Sequence, residues 1–384
     1  MDWITQAALG ALMGELMMGK RLGNRALAWG ALFGVMPEVL EWLVSPVLDH
    51  AYELAVERGA GHSLVVMALG SWVIAEGLAK LWKREKITKP QAAAFVLAVW
   101  WAHSLVDCFA AEGVAVLWPL PVGRVAFGFL APVDFLFSGP LVVAAAALAF
   151  LREAPAQKKA RGKKAAGAAV ALAGKRRKWC GWGLGLAAGY ALFAMGMKWV
   201  AAGGFDGDLA RRGTKVVRRM ESPTPFNCLL WRAVVDRGDE YWVGYRSVFE
   251  RRESPVRWTV YPKGAEALAK VADLRQTRTL TKISDGWWIA RPHARGAWLG
   301  DLRLPETRVW GSKKGMVDSR LAASWVIDMA AAGDALRLIP PGNGSGGEYL
   351  QRMMKRLAGD RPAWEANPRL AAAGSLPEFL AVEE

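Results

Sequence analysis

His103 and Asp107 are the two residues whose types and spacing most directly indicate chemistry. They lie four positions apart in the segment WWAHSLVDCF, inside a run that is otherwise apolar. On an α-helix, residues i and i+4 share one face, with Cβ atoms roughly 5–6 Å apart. Imidazole and carboxylate together suit zinc or another divalent first-row metal. For the pair alone, a hydrogen bond between packed helices is an equally open interpretation.

The elements that must position this pair are apolar runs in the first half of the chain. Each run approaches the ~20 residues that an α-helix needs to cross a bilayer. The runs cover 2–19, 26–44, 63–82, 92–118, 125–151 and 180–202. A soluble helical bundle is the alternative, but stretches such as GPLVVAAAALAFL disfavour it. The first run does not resemble a signal peptide, because it begins with Asp2 and its basic residues follow the apolar part.

Basic residues are concentrated in every second connection between these runs. They are Lys20, Arg21 and Arg25, then Lys80, Lys83, Arg84, Lys86 and Lys89, and then the KKARGKK and KRRK stretches of 152–178. Cytoplasmic loops of membrane proteins carry such an excess of Lys and Arg. We therefore predict six alternating spans, with the amino terminus and everything after residue 202 outside the cytoplasm.

These connections also explain much of the formal net charge of +15. Segment 152–178 is predicted to be a cytoplasmic linker that contacts anionic lipids. No aromatic or base-reading pattern accompanies it, so a nucleic-acid partner is not expected, and the sequence names no protein partner. In the last span, Gly181, Gly185 and Gly189 predict a close contact with another helix.

Ionisable residues gather at one end of the predicted bundle. Such residues cost roughly 2.5–3.5 kcal/mol inside a bilayer on insertion scales, so they usually face a bundle interior and have a function. With Gln6, the residues at the predicted outer end are Asp2, Glu38, Glu41, His62, His103, Asp107 and Asp134. This layer predicts a divalent-metal site, with zinc the favoured ion. His50 is expected to be a surface histidine, and His293 to be unrelated to the layer.

The character of the chain changes after residue 202. YWVGYRSVFE, VRWTVYP, GWWIARP and AWLGDLRL have the aromatic and β-branched composition of strands. Ala265 to Leu274 and Tyr349 to Leu357 are predicted helices. The predicted fold is therefore an α-helical transmembrane bundle of about six spans followed by a small α+β extramembrane domain. Its divisions are a five-span core (1–151), a basic cytoplasmic linker (152–179), the sixth span (180–202) and an extracytoplasmic domain (203–384).

Five segments, in order, also carry a resemblance to a known family. They are MDWITQAALGALMGE, WGALFGVMPEVLEW, ERGAGHSL, HSLVDCFAAEGVAVLWPL and APVDFLFSGPLV. These segments resemble successive motifs of the membrane-bound metal-dependent hydrolases of the YdjM/YbcI type. The second half is similar to longer members through SPTPFNCLLWRAVV, YWVGYRSVFE and GAWLGDLRLPE. The resemblance implies a helical membrane core, a divalent-metal site, hydrolase activity and a place in the bacterial inner membrane.

Carried over residue by residue, the resemblance singles out Asp2, Glu38, Glu41, His62, His103, Asp107 and Asp134. The chain departs from the family at several motif positions. Glu38 and Glu41 replace the aspartates of a P-D-x-D segment, and Glu57 replaces the first histidine of an H-R-G segment. Gly61 and Ala110 replace threonines, and Glu112 stands where tyrosine is usual. These departures indicate either a retuned metal site or a site that has lost activity.

The leading hypothesis is a membrane-embedded metal-dependent hydrolase that opens to the outer face. The predicted metal ligands are His62, His103, Asp107, Asp134, Glu41 and Asp2, and the predicted catalytic residues are Glu38 and Glu57. A phosphoester or lipid head group is the predicted substrate, because the site would lie at head-group depth. The alternative is a non-catalytic membrane protein whose outer domain binds a partner or envelope component. A transporter is disfavoured, because the polar residues do not continue across the bundle.

Overall fold

The computed structural model of the 384-residue chain describes residues 1–44, 48, 58–151, 163–307, 320–329, 336–338 and 346–365. Apart from short segments, it divides into a helical unit that ends at Phe193 and a second unit that begins at Ala194. The second unit holds β-sheets. The predicted order, a helical region followed by an α+β region, is confirmed at this level.

The described residues of the first part of the chain form seven α-helices. They are α1 (Trp3–Leu22), α2 (Asn24–Gly34), α3 (Met36–Val44), α4 (Leu64–Leu81), α5 (Lys89–Asp107), α6 (Phe135–Phe150) and α7 (Lys163–Arg211). Among the described residues, α4 and the Gly167–Arg211 part of α7 are long and apolar enough to cross a membrane. The pair α2 and α3, bent by 50°, is a third candidate if it is one broken span. The structure therefore supports two or three candidate spans, not the six that the sequence predicted.

Several helix boundaries also differ from the predicted runs. Helix α5 ends at Asp107 instead of continuing to residue 118, and α6 begins at Phe135 instead of residue 125. The connection between them holds Gly113 with φ +58° and three prolines, which do not continue a helix. Helix α7 begins at Lys163, inside the predicted linker, because the alanine-rich sequence there favours a helix.

Helices α1 and α2 approach each other backbone to backbone. A Cβ built on Gly10 would lie 2.2 Å from the carbonyl oxygen of Gly30, and one on Gly14 would lie 2.1 Å from that of Ala26. A Cβ on Gly34 would lie 2.5 Å from the carbonyl oxygen of Gln6. Two small-xxx-small pairs, one on each helix, therefore make the close contact that such pairs allow in membrane proteins.

The predicted contact through the glycines of α7 is absent from the described part of the chain. A Cβ at Gly181, Gly185 or Gly189 would meet nothing within 4 Å. Helix α7 packs instead through Gly183, where a Cβ would lie 2.5 Å from Ala144 and 2.9 Å from Leu12. The glycine repeat of α7 predicts a close contact with another helix, but the face that packs is the neighbouring one, which carries Gly183.

Among its described residues, the second unit forms two four-stranded antiparallel sheets and a short two-stranded pair. The first sheet has the order β1 (Arg218–Pro223), β2 (Leu230–Asp236), β3 (Glu240–Ser247), β4 (Trp258–Pro262). The second has the order β10 (Leu336–Leu338), β9 (Ser324–Asp328), β6 (Gly296–Asp301), β5 (Trp288–His293), and β7 (Glu306–Thr307) pairs with β8 (Arg320–Leu321). Short helices complete the unit: α8 (Ala265–Ala269), α9 (Arg275–Ile283), α10 (Gly346–Leu357) and α11 (Arg361–Glu365).

Arg232 and Glu306 form a buried ion pair in this unit. Their side chains are 1% and 2% exposed, and Arg232 donates to both carboxylate oxygens, at 3.1 and 3.0 Å. Arg232 also donates to the carbonyl oxygen of Leu302, and the Tyr245 hydroxyl donates to Glu306. The pair connects β2 of the first sheet to β7, so it fixes these strands relative to each other.

We expect Gly30→Ala to destabilise the helical unit, because the new Cβ would lie 2.1 Å from the carbonyl oxygen of Gly10. Overpacking of this kind costs about 1–3 kcal/mol. The matched control is Gly185→Ala, which adds a methyl group where nothing lies within 4 Å. Thermal unfolding of the full chain in detergent measures both variants, and equal transition temperatures for the two would contradict the described packing.

We expect Glu306→Gln to lower the free energy of unfolding of the second unit by about 3–5 kcal/mol, because it leaves the Arg232 guanidinium buried without a countercharge. Glu348→Gln is the control, since its ion pair with Arg352 is 34% and 30% exposed and such pairs contribute about 1 kcal/mol or less. Denaturant unfolding followed by tryptophan fluorescence distinguishes the two. A Glu306→Gln effect as small as the control's would show that the pair does not hold the strands.

Candidate metal centre

The last turns of α5 and the turn before α4 bring the central residues together. A capping box of Thr88 and Gln91 starts α5, which carries His103 and Asp107 on its last turns. His62 ends a single 3₁₀ turn, Ala60–His62, that leads directly into α4. The indole Nε1 of Trp100 donates to the carbonyl oxygen of Gly61 at 2.7 Å and so fastens that turn to α5.

Two imidazole nitrogens and one carboxylate oxygen lie close together in the interior of the first unit. The Nε2 atoms of His62 and His103 each lie 3.1 Å from Oδ2 of Asp107, and they lie 3.2 Å from each other. All three residues are no more than 2% exposed. Among the described residues, they are the one group whose ligand atoms cluster closely enough to hold a metal ion.

The outer nitrogen of each imidazole faces an acceptor. Nδ1 of His103 lies 2.6 Å from the carbonyl oxygen of Gly34, and Nδ1 of His62 lies 3.5 Å from Oε1 of Glu41. A carbonyl oxygen only accepts, so Nδ1 of His103 carries the hydrogen and Nε2 presents a lone pair to the cluster. This is the arrangement in which proteins fix the tautomer and orientation of metal-bound histidines.

Nδ1 of His62 makes no hydrogen bond among the described residues. With its hydrogen on Nδ1, on the side of Glu41, His62 would also present a lone pair at Nε2, so that two lone pairs and a carboxylate oxygen would face one another. A hydrogen on one nitrogen serves one of the three contacts, whereas a cation between them serves all three. The donor set, two imidazole nitrogens and one carboxylate oxygen, is one that zinc accepts. Ligands at about 2.0–2.1 Å in a tetrahedral site lie about 3.3–3.4 Å apart. The observed separations of 3.1–3.2 Å are close to that, so these residues fit a small divalent ion.

The second oxygen of Asp107 has its own donors. Nε2 of Gln6, on α1, donates to Oδ1 at 3.0 Å, and the amino group of Met1 forms an ion pair with the same atom. Gln6 also approaches the carbonyl oxygen of His103 at 3.4 Å. These contacts hold Oδ1 away from the cluster and leave Oδ2 as the atom that both histidines face.

Two further carboxylates lie at the rim of the cluster. Oε1 of Glu38 lies 3.4 Å from Nε2 of His103, and the Glu38 side chain is 17% exposed. Among the described residues, the buried Oε2 of Glu38 has no hydrogen-bond partner. Glu41 instead stands behind His62, and its Oε1 also accepts from the backbone N–H of Arg58 at 2.9 Å. Glu38 is thus the carboxylate nearest the cluster, and Glu41 contacts the outer side of a ring.

Two predicted ligands lie at helix starts, outside the group of three. Asp134 caps α6, accepting from the N–H of Leu136 at 3.1 Å and from the Tyr190 hydroxyl at 2.8 Å. Asp2 caps α1 and accepts from Thr5, through its N–H at 2.9 Å and its hydroxyl at 2.6 Å. Glu57, a predicted catalytic residue, and His50 lie outside the described residues. His293 lies in β5 of the second unit.

The positions that depart from the family pattern have identifiable surroundings. A Cβ on Gly61 would lie 3.3 Å from the backbone of Pro37, so a larger residue there needs a small shift of the turn. Ala110 is fully buried just after α5, and its N–H donates to the carbonyl oxygen of Asp107. Glu112 is also buried, with Oε2 3.9 Å from Nη1 of Arg58.

Sequence reasoning missed the backbone contribution of Gly34 and the role of Gln6. Gly34 is the last residue of α2, and the final carbonyl groups of a helix lack intrahelical partners. The 50° bend into α3 leaves this carbonyl free for His103. Pro37, two residues after the helix breaks, was the available signal for the bend.

Comparison with known proteins places the first half of the chain in a family. A family model described as YdjM inner membrane protein matches residues 1–201 of the chain. No curated protein and no solved structure matches. The matched range contains every residue of the cluster and its surroundings.

We expect Gln6→Leu to weaken divalent-metal binding by about 10–100-fold, because loss of a group that orients a ligand typically has this effect. The control is Thr5→Val on the same helix, since Thr5 bonds to Asp2 and Ser138 and not to the cluster. Competition titration of the purified full chain with a zinc chelator gives both affinities. Unchanged affinity in Gln6→Leu would mean that Asp107 does not depend on Gln6 for its orientation.

Proposed function

Because the chain belongs to the YdjM inner membrane protein family, we propose that it is a membrane-embedded, metal-dependent hydrolase. Its centre is the group of His62, His103 and Asp107, with Glu38 at the rim. One observation carries the proposal: both imidazoles turn Nε2 to the same carboxylate oxygen while an acceptor faces each Nδ1. A packing contact between helices does not require that both rings be oriented in this way.

The proposed site opens to the extracytoplasmic side of a multi-pass bundle, and the domain after residue 202 lies on that side. The distribution of charge within the first unit supports this orientation. Arg21, at the end of α1, donates to the Lys86 carbonyl oxygen at 3.3 Å and to the Gln91 side chain at 2.7 Å, and Arg25 pairs with Glu85. On α1, Gln6 and Arg21 are separated by about 22 Å at 1.5 Å per residue. Basic ends are retained in the cytoplasm, so the metal centre is at the outer end.

His62, His103 and Asp107 would hold the ion, and zinc is the proposed ion because imidazole and carboxylate are ligands it favours. A divalent ion supplies Lewis-acid polarisation of the scissile group and charge stabilisation in the transition state. Met1 and Gln6 keep Asp107 oriented, and the carbonyl oxygen of Gly34 orients the ring of His103. Glu41 lies behind the ring of His62, with Oε1 3.5 Å from Nδ1. Asp2 and Asp134 cap the helices that carry or flank the site and are proposed to act through that role, not as ligands.

Glu38 is the proposed general base. Its Oε2 has no hydrogen-bond partner among the described residues, and its Oε1 lies against His103, so the carboxylate is placed at the cluster with acceptor capacity left. In hydrolysis of an ester, the carboxylate takes a proton as the oxygen of water bonds to the scissile atom. The ester bond breaks, and its oxygen leaves with that proton. General-base catalysis of this kind contributes about 10²–10⁴-fold.

The test is the divalent-metal content of the full chain purified in mild detergent. We expect bound metal in the wild type and in His293→Ala, whose histidine lies in the second unit, and its loss in His103→Ala. Glu38→Gln should retain at least part of the metal while lowering turnover of a phosphodiester by about 10²-fold or more. Absence of a divalent ion from the wild type, or equal content in His103→Ala, would remove the proposal.

A further inference from the structure

The loop Leu117–Val122, between α5 and α6, presents apolar side chains to the outside of the first unit. Leu117, Leu120 and Val122 are 41%, 60% and 54% exposed, and the sequence LWPLPV contains no charged residue. Trp118, which is half-buried, is of the type that favours membrane–water interfaces. This loop is called the apolar loop below.

The backbone of the apolar loop has few donors left for water. Residues 119 and 121 are prolines and have no N–H. The N–H groups of Trp118, Leu120 and Val122 donate to nearby carbonyl oxygens, those of Ala115, Leu117 and Leu120, at 3.0, 3.0 and 2.8 Å. Unbonded backbone groups are what keeps irregular segments out of lipid. Since five consecutive residues lack a free N–H, entry of the loop into an apolar layer leaves none of their backbone donors unsatisfied.

Hydrogen bonds join the apolar loop directly to the turn that carries His62. The N–H of Leu64 donates to the carbonyl oxygen of Val116 at 2.9 Å. The hydroxyl of Ser63 donates to the carbonyl oxygen of Trp118 at 2.6 Å. The N–H of Ala115 donates to the carbonyl oxygen of Arg58 at 2.9 Å. The depth of the loop in a bilayer therefore sets the depth of the metal centre.

Arg58 adds a cation to the same assembly. It has φ +52°, uncommon for a residue with a side chain, and its N–H and carbonyl group are both hydrogen-bonded, to Glu41 and Ala115. The backbone of Arg58 is thus fixed behind His62. Its side chain is 23% exposed, and the guanidinium Nη1 lies 3.9 Å from Oε2 of Glu112. Arginine is suited to bind the oxygens of a phosphate group.

We propose that the apolar loop inserts into the boundary between head groups and acyl chains, and that the metal centre and Arg58 receive the phosphate of a membrane phospholipid. The bilayer is the occupant that fits the loop, because both of its ends lead into helices of the proposed bundle and its exposed face is free of charge. The insertion stands on the loop alone. The phosphate contact rests on the proposed function and gives that function a substrate class.

Insertion is tested with a nitroxide label at Leu120→Cys in the full chain reconstituted into vesicles of phosphatidylethanolamine and phosphatidylglycerol. The three native cysteines are buried and compete little for the label. The control is Asp239→Cys, at the exposed turn between β2 and β3. We expect the label at 120 to be relaxed by oxygen more than by a water-soluble nickel chelate, and the label at 239 to show the reverse. Equal access of the chelate to both positions would overturn the insertion.

Head-group binding is tested by ³¹P relaxation with Mn²⁺ loaded into the full chain in detergent. At equal concentration, bound Mn²⁺ should increase the ³¹P relaxation rate of dihexanoyl phosphatidylglycerol about tenfold more than that of inorganic phosphate. We expect the Leu117→Asp/Leu120→Asp variant and Arg58→Gln to lose most of this gain with Mn²⁺ content kept, and Val260→Asp, in the second unit, to retain it.

Two outcomes would contradict the head-group half of the proposal. If inorganic phosphate gained as much ³¹P relaxation as dihexanoyl phosphatidylglycerol, the site would bind soluble phosphate and not a lipid head group. If the Leu117→Asp/Leu120→Asp variant kept the full relaxation gain, the apolar loop would have no part in binding the head group. Failure of the wild type to bind Mn²⁺ or zinc would instead remove the proposed function together with the phosphate contact. The nitroxide measurement would still decide the insertion.

Discussion

The close contact between α1 and α2 is the constraint on which the rest of the site depends. Gly10, Gly14, Gly30 and Gly34 let two helix backbones meet without intervening side chains. The contact places the carbonyl oxygen of Gly34 where His103 donates to it, and it places Gln6 where its amide reaches Asp107. Side chains larger than hydrogen at these glycines would push the two helices apart and withdraw both contacts from α5.

The site is assembled mainly from the ends of helices and the turns beside them. Asp107 is the last residue of α5, Gly34 the last of α2, and His62 directly precedes the cap of α4. Helix ends carry backbone groups that need partners, and in a bundle they meet at the same level. This explains how an apolar bundle can hold a buried carboxylate and two imidazoles at one level.

The sequence predicted the helical and α+β halves, four strands of the second unit (β3 to β6), and the meeting of His62 with His103 and Asp107. These rest on local signals: composition, strand patterning and i, i+4 spacing on one helix. It overestimated α5 and the number of spans, because apolar composition continues through the non-helical segment 108–134. The partners of the histidines were beyond sequence reasoning, since the Gly34 carbonyl group has no residue-type signature. The helix-capping roles of Asp2 and Asp134 depend on where the helices begin, which composition defines poorly.

X-ray absorption at the zinc edge of the reconstituted full chain tests the metal centre most directly. We expect a shell of light atoms at about 2.0–2.1 Å with the multiple-scattering pattern of two imidazoles and no sulfur. Zinc bound without imidazole scattering, or with a sulfur neighbour from one of the three cysteines, would place the metal elsewhere. Either result would contradict a centre formed by His62, His103 and Asp107.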